Sequence, residues 1–547
     1  MSEAARSPRQ GWLFGAAPDL LLGCGLAYLF VAGVHLFLGG ELVRWVPGGL
    51  LILAFSLPHY GATLVRVYQS RDDRTKYRLF AVHATVALLL CLAVGSHVAL
   101  LGSLLLTVYL TWSPWHYTGQ NYGIALMLLA RRGIRIDAAT KRWIYGSFIA
   151  SYALAVVAIH GAAPAGSYAP VEYGGALYRM LPLGIPAQVV DPLLAALALG
   201  YGVLLVTATV RLVRAGSLAA LGPAAMLVLT QAMWFSVPVL LRLTGALAAS
   251  PGPANPFSAY GFIWVAAAHS AQYLWITTYY ATSERTSTRA GFLAKSALAG
   301  FAAWTLPALL FAPGLLGGVS YDSGLALLIA SVVNPHHFLL DGAIWKLRDG
   351  AVARVLLRPV EATSDAVGDR GERAASRARP ALVLAGCLSI AIALFAFVES
   401  EYGFYRALAR GDVARAETAL ERFAWIGRDG AAKRTEVART LAEGGEYERA
   451  RAHLERSLEV EPTYRAQYML GLVHEQRGDW RAALAAHDVA LAMQPGASEA
   501  RVRRALALVE LGRPAEALRQ HEPLVAAEPQ NQAARGALAR ARIALRE

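Results

Sequence analysis

Charge is scarce in this sequence: only 16% of its 547 residues are Asp, Glu, Lys or Arg, while 56% are hydrophobic and the mean hydropathy is +0.40. So apolar a chain has too little solvating surface for an ordinary soluble protein of two or three domains. Cysteine is scarcer still. Cys24, Cys91 and Cys387 stand far apart inside apolar blocks, which excludes a disulfide framework and a paired-cysteine metal site. The N-terminus lacks a short apolar stretch with a small-residue cleavage site, so the first block reads as a retained span rather than a signal peptide. The formal charge of +13 does not indicate nucleic acid. Residues 401–547 carry 23 Lys and Arg against 21 Asp and Glu, and the first 400 residues carry 28 against 17. The excess therefore belongs to the apolar region, where it acts as a topology signal.

What is present is a series of apolar blocks of about 20 residues, the length a helix needs to cross the hydrocarbon core. They predict an all-α fold, a polytopic transmembrane bundle of about eleven spans followed by a soluble α-solenoid. The spans lie near 14–38, 46–67, 79–96, 98–129, 142–160, 189–212, 219–241, 257–281, 291–312, 320–345 and 380–399. In domain terms this is a histidine-containing bundle over 1–345, a basic linker over 346–379, a last transmembrane helix over 380–399 and a repeat domain over 400–547. Basic residues alternate between loops. Arg66, Arg71, Arg74, Lys76 and Arg78 form one group, Arg131, Arg132, Arg135, Lys141 and Arg142 a second, Arg211 and Arg214 a third, and Arg285, Arg289 and Lys295 a fourth, before the linker. These loops are cytoplasmic by the positive-inside rule. The expected location is the inner membrane, with the N-terminus (Arg6, Arg9) cytoplasmic and, for an odd number of spans, the C-terminal domain periplasmic.

The tail repeats every 33 to 34 residues. Gly411, Gly445, Gly478 and Gly512 align with Ala416, Ala450, Ala483 and Ala517, then with Leu420, Leu454, His487 and His521, and the last three units end in Pro462, Pro495 and Pro529. Glycine turns the chain, alanine lets paired helices approach and proline ends the second helix. The pattern resembles the tetratricopeptide repeat (TPR), which implies a protein or peptide partner held in a concave groove. His453, His474, His487 and His521 follow repeat positions and read as packing or surface residues rather than ligands.

Histidines inside apolar spans raise a functional hypothesis, because ionisable groups there are costly. His59 lies in SLPHYG, His116 in WSPWHYTGQNYG, His269 in AAAHSAQYLW, and His336 and His337 in NPHHFLLDGAIWK. In the proposed topology all lie on helices running inward, each 7 to 16 residues before a cytoplasmic basic residue, a depth spread of about 14 Å. A residue at i+4 shares a helix face with residue i, and each helix offers a polar partner there. The pairs are His59 with Thr63, His116 with Gln120, His269 with Tyr273 and His337 with Asp341. His336 has Leu340 at that offset, which favours His337 of the doublet. Pro58, Pro114 and Pro335 bend their helices or free carbonyls just before the histidines. Four polar faces converging in the inner half of the bundle would make a metal site. Neutral imidazoles with a carboxylate suit iron, zinc or copper, and redox or oxygen chemistry favours non-haem iron. Asp341 is either a ligand or the acceptor that orients a histidine ring. His83 stands near the cytoplasmic end of its span as a supporting candidate. Histidine-ligated haem and plain interhelical packing remain the alternatives, and Gly119, Gly123 and Gly342 fit close helix packing.

Pro58-His59 in an early span, His116-Tyr117 about two spans on, and a later Pro335-His336 resemble the Brp/Blh-type membrane dioxygenases that cleave β-carotene to retinal. The resemblance covers roughly residues 50–345 and implies His59, His116, His269 and one of His336 or His337 as ligands of a non-haem iron. It also implies oxygenase chemistry on an apolar, lipid-soluble substrate entering from the bilayer. Tyr60 stands where that family favours glycine. Two further readings come from other classes. A polytopic glycosyltransferase using a lipid-linked sugar needs acidic residues in the first outer loop, where only Glu41 occurs, and a non-enzymatic transporter or scaffold for the repeats needs no metal.

Overall fold

The computed structural model describes residues 11–38, 46–69, 75–161, 171–174, 176–244, 259–284, 287–310, 323–345, 350–357 and 379–546. Among these the protein is nearly all-α. The exceptions are turns, a two-stranded hairpin, Val171–Tyr173 with Ala176–Tyr178, and a bridge between Gly161 and Ile185. Glu41, the basic residues Arg6, Arg9, Arg71, Arg74 and Arg285, and most of the linker 346–379 lie outside the described residues, although Gly350–Leu357 of that linker forms a helix. The chain forms two compact units. One is the apolar bundle, and the other takes in Phe395–Glu547 with two short pieces of chain, Glu172–Leu177 and Ala308–Ala326.

Among the described residues, six helices are long and apolar enough to cross a membrane: Gly48–Tyr68, Ala138–His160, Gln188–Ala215, Leu218–Leu241, Gly324–Ile344 and Pro380–Ala409. A seventh exists if Ala16–Gly23 and Leu26–Leu36, bent by 59°, count as one broken span. The sequence reading expected about eleven. The difference has a physical origin, because three further long helices fall on expected spans but are diluted by polar side chains. Ala99–Arg131 carries His116, Gln120 and Asn121, Ala259–Ser283 carries His269, Gln272 and a Thr/Tyr-rich end, and Arg289–Leu310 carries Lys295. Leu79–Gly95 is apolar but short.

The bundle is patterned inside out relative to a soluble protein. Leu199, Val203 and Val206 on Gln188–Ala215 and Leu382, Leu384 and Leu388 on the last span are exposed, whereas Ser113, Asn121, Ser151, Thr230, Gln231 and Ser236 are buried. Without water as the driving solvent, polar groups collect inside and pair across helices. Asn121 Nδ2 donates to Gln231 Oε1 at 3.0 Å, and Gln231 Nε2 donates to Thr118 Oγ1 at 2.9 Å. Gly324–Ile344, which carries the histidine doublet, is 78% buried over its apolar stretch, against 17% for Gln188–Ala215 and for Pro380–Ala409. The doublet therefore sits on the most central of the candidate spans.

Glycine sets one helix contact that no motif announces. A Cβ on Gly61 would lie 1.8 Å from the Ser296 carbonyl oxygen, and a Cβ on Gly300 would lie 1.8 Å from that of Leu57. The Leu57–Tyr68 and Arg289–Leu310 backbones thus touch beside His59. Gly119, Gly123 and Gly342, expected from sequence to admit neighbours, face open space instead.

In the C-terminal unit, antiparallel helices follow one another from Val413–Ala424 to Gln532–Ala544. Gly411, Gly445, Gly478 and Gly512 all have positive φ, between 71° and 81°, the left-handed conformation that glycine adopts without penalty. Ala416, Ala450, Ala483 and Ala517 are fully buried where helices cross. Asp412 and Asp479 cap the helices that follow by accepting the backbone N–H three residues on.

Candidate metal centre

Each histidine reaches the bundle interior by a local device. A π-helical turn, Ile52–Ser56, runs directly into Leu57–Tyr68, so Pro58 lies inside the continuous helix Gly48–Tyr68, where its missing N–H frees a carbonyl of the preceding turn. Around Pro114, the Ser113 and Thr118 hydroxyls bond the carbonyls of Tyr109 and Pro114, each at 2.7 Å. Before Pro335, Asn334 Nδ2 donates to the Ala330 carbonyl at 2.9 Å. Side chains thus satisfy carbonyl groups around the prolines inside the apolar region.

His59, His116, His269 and His337, from four helices, meet. Ring centroids lie 4.2 Å apart for His59 and His337, 4.9 Å for His59 and His269, 4.9 Å for His116 and His337, and 5.0 Å for His116 and His269. One candidate ligand atom from each of His59, His269 and His337 falls within 4.8 Å of the others, and so do atoms of His116, His337 and Asp341. His337 is common to both groups. Asp341 Oδ2 lies 3.3 Å from His337 Nε2 and 3.7 Å from His116 Nε2. The Nε2 atoms of His59, His116 and His337 and both ring nitrogens of His269 are buried without a hydrogen-bond partner among the described residues.

The surroundings hold these rings in place. The His59 ring hydrogen-bonds the backbone of Ser56. His269 stacks on Tyr117 at 4.1 Å and His116 on Phe338 at 4.4 Å. Thr63 Oγ1 lies 2.8 Å from His337 Nδ1, 2.6 Å from Tyr273 Oη and 3.0 Å from Asp341 Oδ1, while Tyr273 Oη donates to Asp341 Oδ1 at 2.6 Å. Trp345 Nε1 donates to Tyr273 Oη at 3.0 Å. With Asp341 ionised, its Oδ1 takes the hydroxyl protons of both Thr63 and Tyr273. Thr63 then has none left for His337, so Nδ1 of His337 carries the ring proton and Nε2 presents a lone pair.

The doublet separates cleanly. His336 Nδ1 pairs with Tyr60 Oη at 2.8 Å and its Nε2 with Thr85 Oγ1 at 2.7 Å, so both of its nitrogens are occupied. Gln120 Nε2 donates to the His269 carbonyl at 3.1 Å and to Gln272 Oε1 at 3.0 Å, tying the His116 and His269 helices together rather than facing the imidazoles. Thr63 serves His337, on another helix, and not His59 one turn before it. His83 is exposed, and Thr85, two residues on, is the residue of that helix that reaches the doublet. His160 has both nitrogens paired, with Thr111 Oγ1 and the Leu183 N–H. Sequence reasoning missed Tyr60, Thr85, Gln272 and Trp345. Gln272 carried a usable signal, a carboxamide in an apolar helix, whereas Tyr60, Thr85 and Trp345 are ordinary residues whose partners lie on other helices.

In the C-terminal unit the histidines stay apart. His487 Nε2 pairs with Glu475 Oε1 at 2.7 Å, His521 Nε2 with the Ala534 carbonyl at 3.0 Å, and His453 Nε2 with Glu417 Oε1 at 3.0 Å. Comparison with curated proteins finds no match to the chain. Residues 437–498 match the family model of the tetratricopeptide repeat, so the C-terminal unit is a TPR domain, a protein-interaction module.

Proposed function

We propose that the membrane bundle holds one metal ion between His59, His116, His269 and His337, with Asp341 as a further ligand. The observation that carries this reading is the group of bare imidazole nitrogens. Each buried polar atom left unpaired costs about 1–3 kcal/mol, and an arrangement with several facing one another is explained by a cation that pairs them all. Ligands at about 2.1 Å from a common tetrahedral ion lie about 3.4 Å apart, so rings whose ligand atoms fall within 4.8 Å of one another would draw in by up to about 1.4 Å to close on it. Rings with centroids 4.2 to 5.0 Å apart leave room for an ion and none for a porphyrin. His336 is a positioning residue in this reading, held between Tyr60 and Thr85, and Thr63, Tyr273 and Trp345 orient His337 and Asp341 as outer partners do.

The donor set, nitrogens with one carboxylate, suits non-haem iron, with zinc as the redox-inert competitor. Bound iron would supply oxygen activation. The chain's own residues would orient a substrate and exclude water, and burial among lipid-facing helices suits a substrate soluble in the bilayer. The activity proposed is therefore that of an iron-dependent membrane oxygenase or related oxidoreductase, in an inner membrane, crossing it about eleven times with the N-terminus cytoplasmic and the repeats periplasmic. The TPR domain would bring a protein partner to it.

Metal analysis of detergent-purified full-length protein tests the centre. Wild type and His97→Ala are expected to retain stoichiometric metal, and His116→Ala and His269→Ala to lose it. Equal metal content in all four proteins would end the proposal.

A further inference from the structure

Trp425 is the most exposed large hydrophobic side chain among the described residues, at 76%. Leu199 and Leu218 follow at 75% and 74%, and both lie on helices apolar enough to cross a membrane. Trp425 does not. It ends the first helix after the Gly411 turn, Val413–Ala424, beside a core in which Phe404 and Phe423 are buried to within 1%.

Its ring neighbour identifies what lies around it. The indole stacks on Phe395, with centroids 6.5 Å apart and planes 13° from parallel. Phe395 belongs to the apolar helix that runs without interruption from Pro380 to Ala409 and has no charged residue between Arg379 and Glu399. Leu394 and Val398, its neighbours on that helix, are 47% and 50% exposed. Phe395 stands four residues before Glu399, about 6 Å inside the polar boundary of the helix. The Trp425 ring, near-parallel to Phe395 and 6.5 Å away, lies within about one helical turn of that boundary.

The placement is rigid. Gly403 lets the Val413–Ala424 helix come close, since a Cβ there would lie 3.3 Å from that of Ala419. Arg422 donates to Glu399 at 2.8 Å across the same junction. Tyr402 and Tyr405, about two to three turns beyond Phe395, are 41% and 52% exposed. Exposed tryptophan and tyrosine rings gathered at the end of an apolar span are what the membrane–water boundary selects, because each ring has an apolar body and a polar edge.

We propose that Trp425, with Tyr402 and Tyr405 above it, seats the first repeat of the TPR domain in the interfacial layer of the bilayer. The indole at the end of the Val413–Ala424 helix then holds that helix at the lipid surface, which limits the directions from which a protein partner approaches. This proposal does not depend on the metal centre.

The test uses full-length protein in lipid nanodiscs, with Cys24, Cys91 and Cys387 replaced by alanine and a nitroxide placed at Trp425→Cys or, as a control, at the exposed Gln520→Cys. Collision with oxygen is expected to exceed collision with a water-soluble nickel chelate several-fold at position 425, and the order to reverse at 520. The same balance at both positions would overturn the proposal, as would dipolar broadening at 425, which marks contact with a second copy. If the cysteine variant fails to fold, brominated lipid decides. The fluorescence difference between wild type and Trp425→Phe is expected to be quenched by it, and an unquenched difference overturns the proposal.

Discussion

Both halves of this protein bury histidine, and they treat it in opposite ways. In the TPR domain His487 and His521 occupy the repeat position that Leu420 and Leu454 fill in the earlier units, and each bonds one oxygen of its own surroundings. In the bundle four histidines come from four helices, and their free nitrogens face one another. A histidine that replaces leucine in a repeat needs a single acceptor to be buried at tolerable cost. Four that converge with Nε2, or in His269 both nitrogens, left unpaired would be satisfied together by the cation proposed above. The difference is between a side chain accommodated by a fold and a set of side chains for which the fold is arranged.

That contrast can be attacked from several sides. The largest effect is expected from Gly300→Val. Its branched side chain starts where a Cβ already lies 1.8 Å from the Leu57 carbonyl oxygen, so the helix bearing His59 must move. Loss of monodisperse protein on size exclusion, together with loss of metal, is the expected result, and normal behaviour would show that the glycine contact does not position the site. Chelation should come next. A ligand that binds only the folded state stabilises it by about 2.7 kcal/mol at a hundredfold excess over Kd. Metal removal should therefore lower the melting temperature of wild type and His487→Leu by similar amounts and leave His269→Ala unmoved. A shift in His269→Ala would place the metal elsewhere.

A smaller effect is expected inside the repeats. Ala483→Leu inserts three carbons where helices touch and should cost about 1–3 kcal/mol by overpacking. Circular dichroism melts should show it, with metal content unchanged. Gly478→Ala should be the mildest, about 1 kcal/mol, because alanine must adopt the positive φ of 74° that glycine takes freely. Thermal melts of the two variants should rank in that order, and the reverse ranking would mean that the turn and not the helix contact governs repeat stability.

The two halves also differed in how far they could be read from the chain. In the repeats every feature is local. Gly411, Gly445, Gly478 and Gly512 turn the backbone where they stand, and Ala416 to Ala517 pack against the neighbouring helix, so periodicity alone reveals them. In the bundle the i+4 rule pointed to Thr63, Tyr273 and Asp341, yet it assigned Thr63 to His59, whereas its hydroxyl serves His337 from across the helix interface. The hydroxyls that engage His336 come from Tyr60 and Thr85, separated from it by 276 and 251 residues, and no spacing rule relates them. The count of about eleven spans is not matched by the six helices that are long and apolar enough, because the helices at 99–131 and 259–283, which the sequence reading counted, are made polar by the residues they contribute to the interior.

By itself the sequence determined that the chain is an apolar helical protein with a TPR domain at its end, because hydropathy, charge alternation and a 33- to 34-residue period are properties of neighbours along the chain. It also determined which residue types were available for a metal site. Only the tertiary structure decided which rings meet, which half of the doublet keeps a free nitrogen, and that Gly61 and Gly300 rather than Gly119 or Gly342 admit a neighbouring helix. Those are contacts between helices far apart in sequence, and their geometry exists only once the helices have packed.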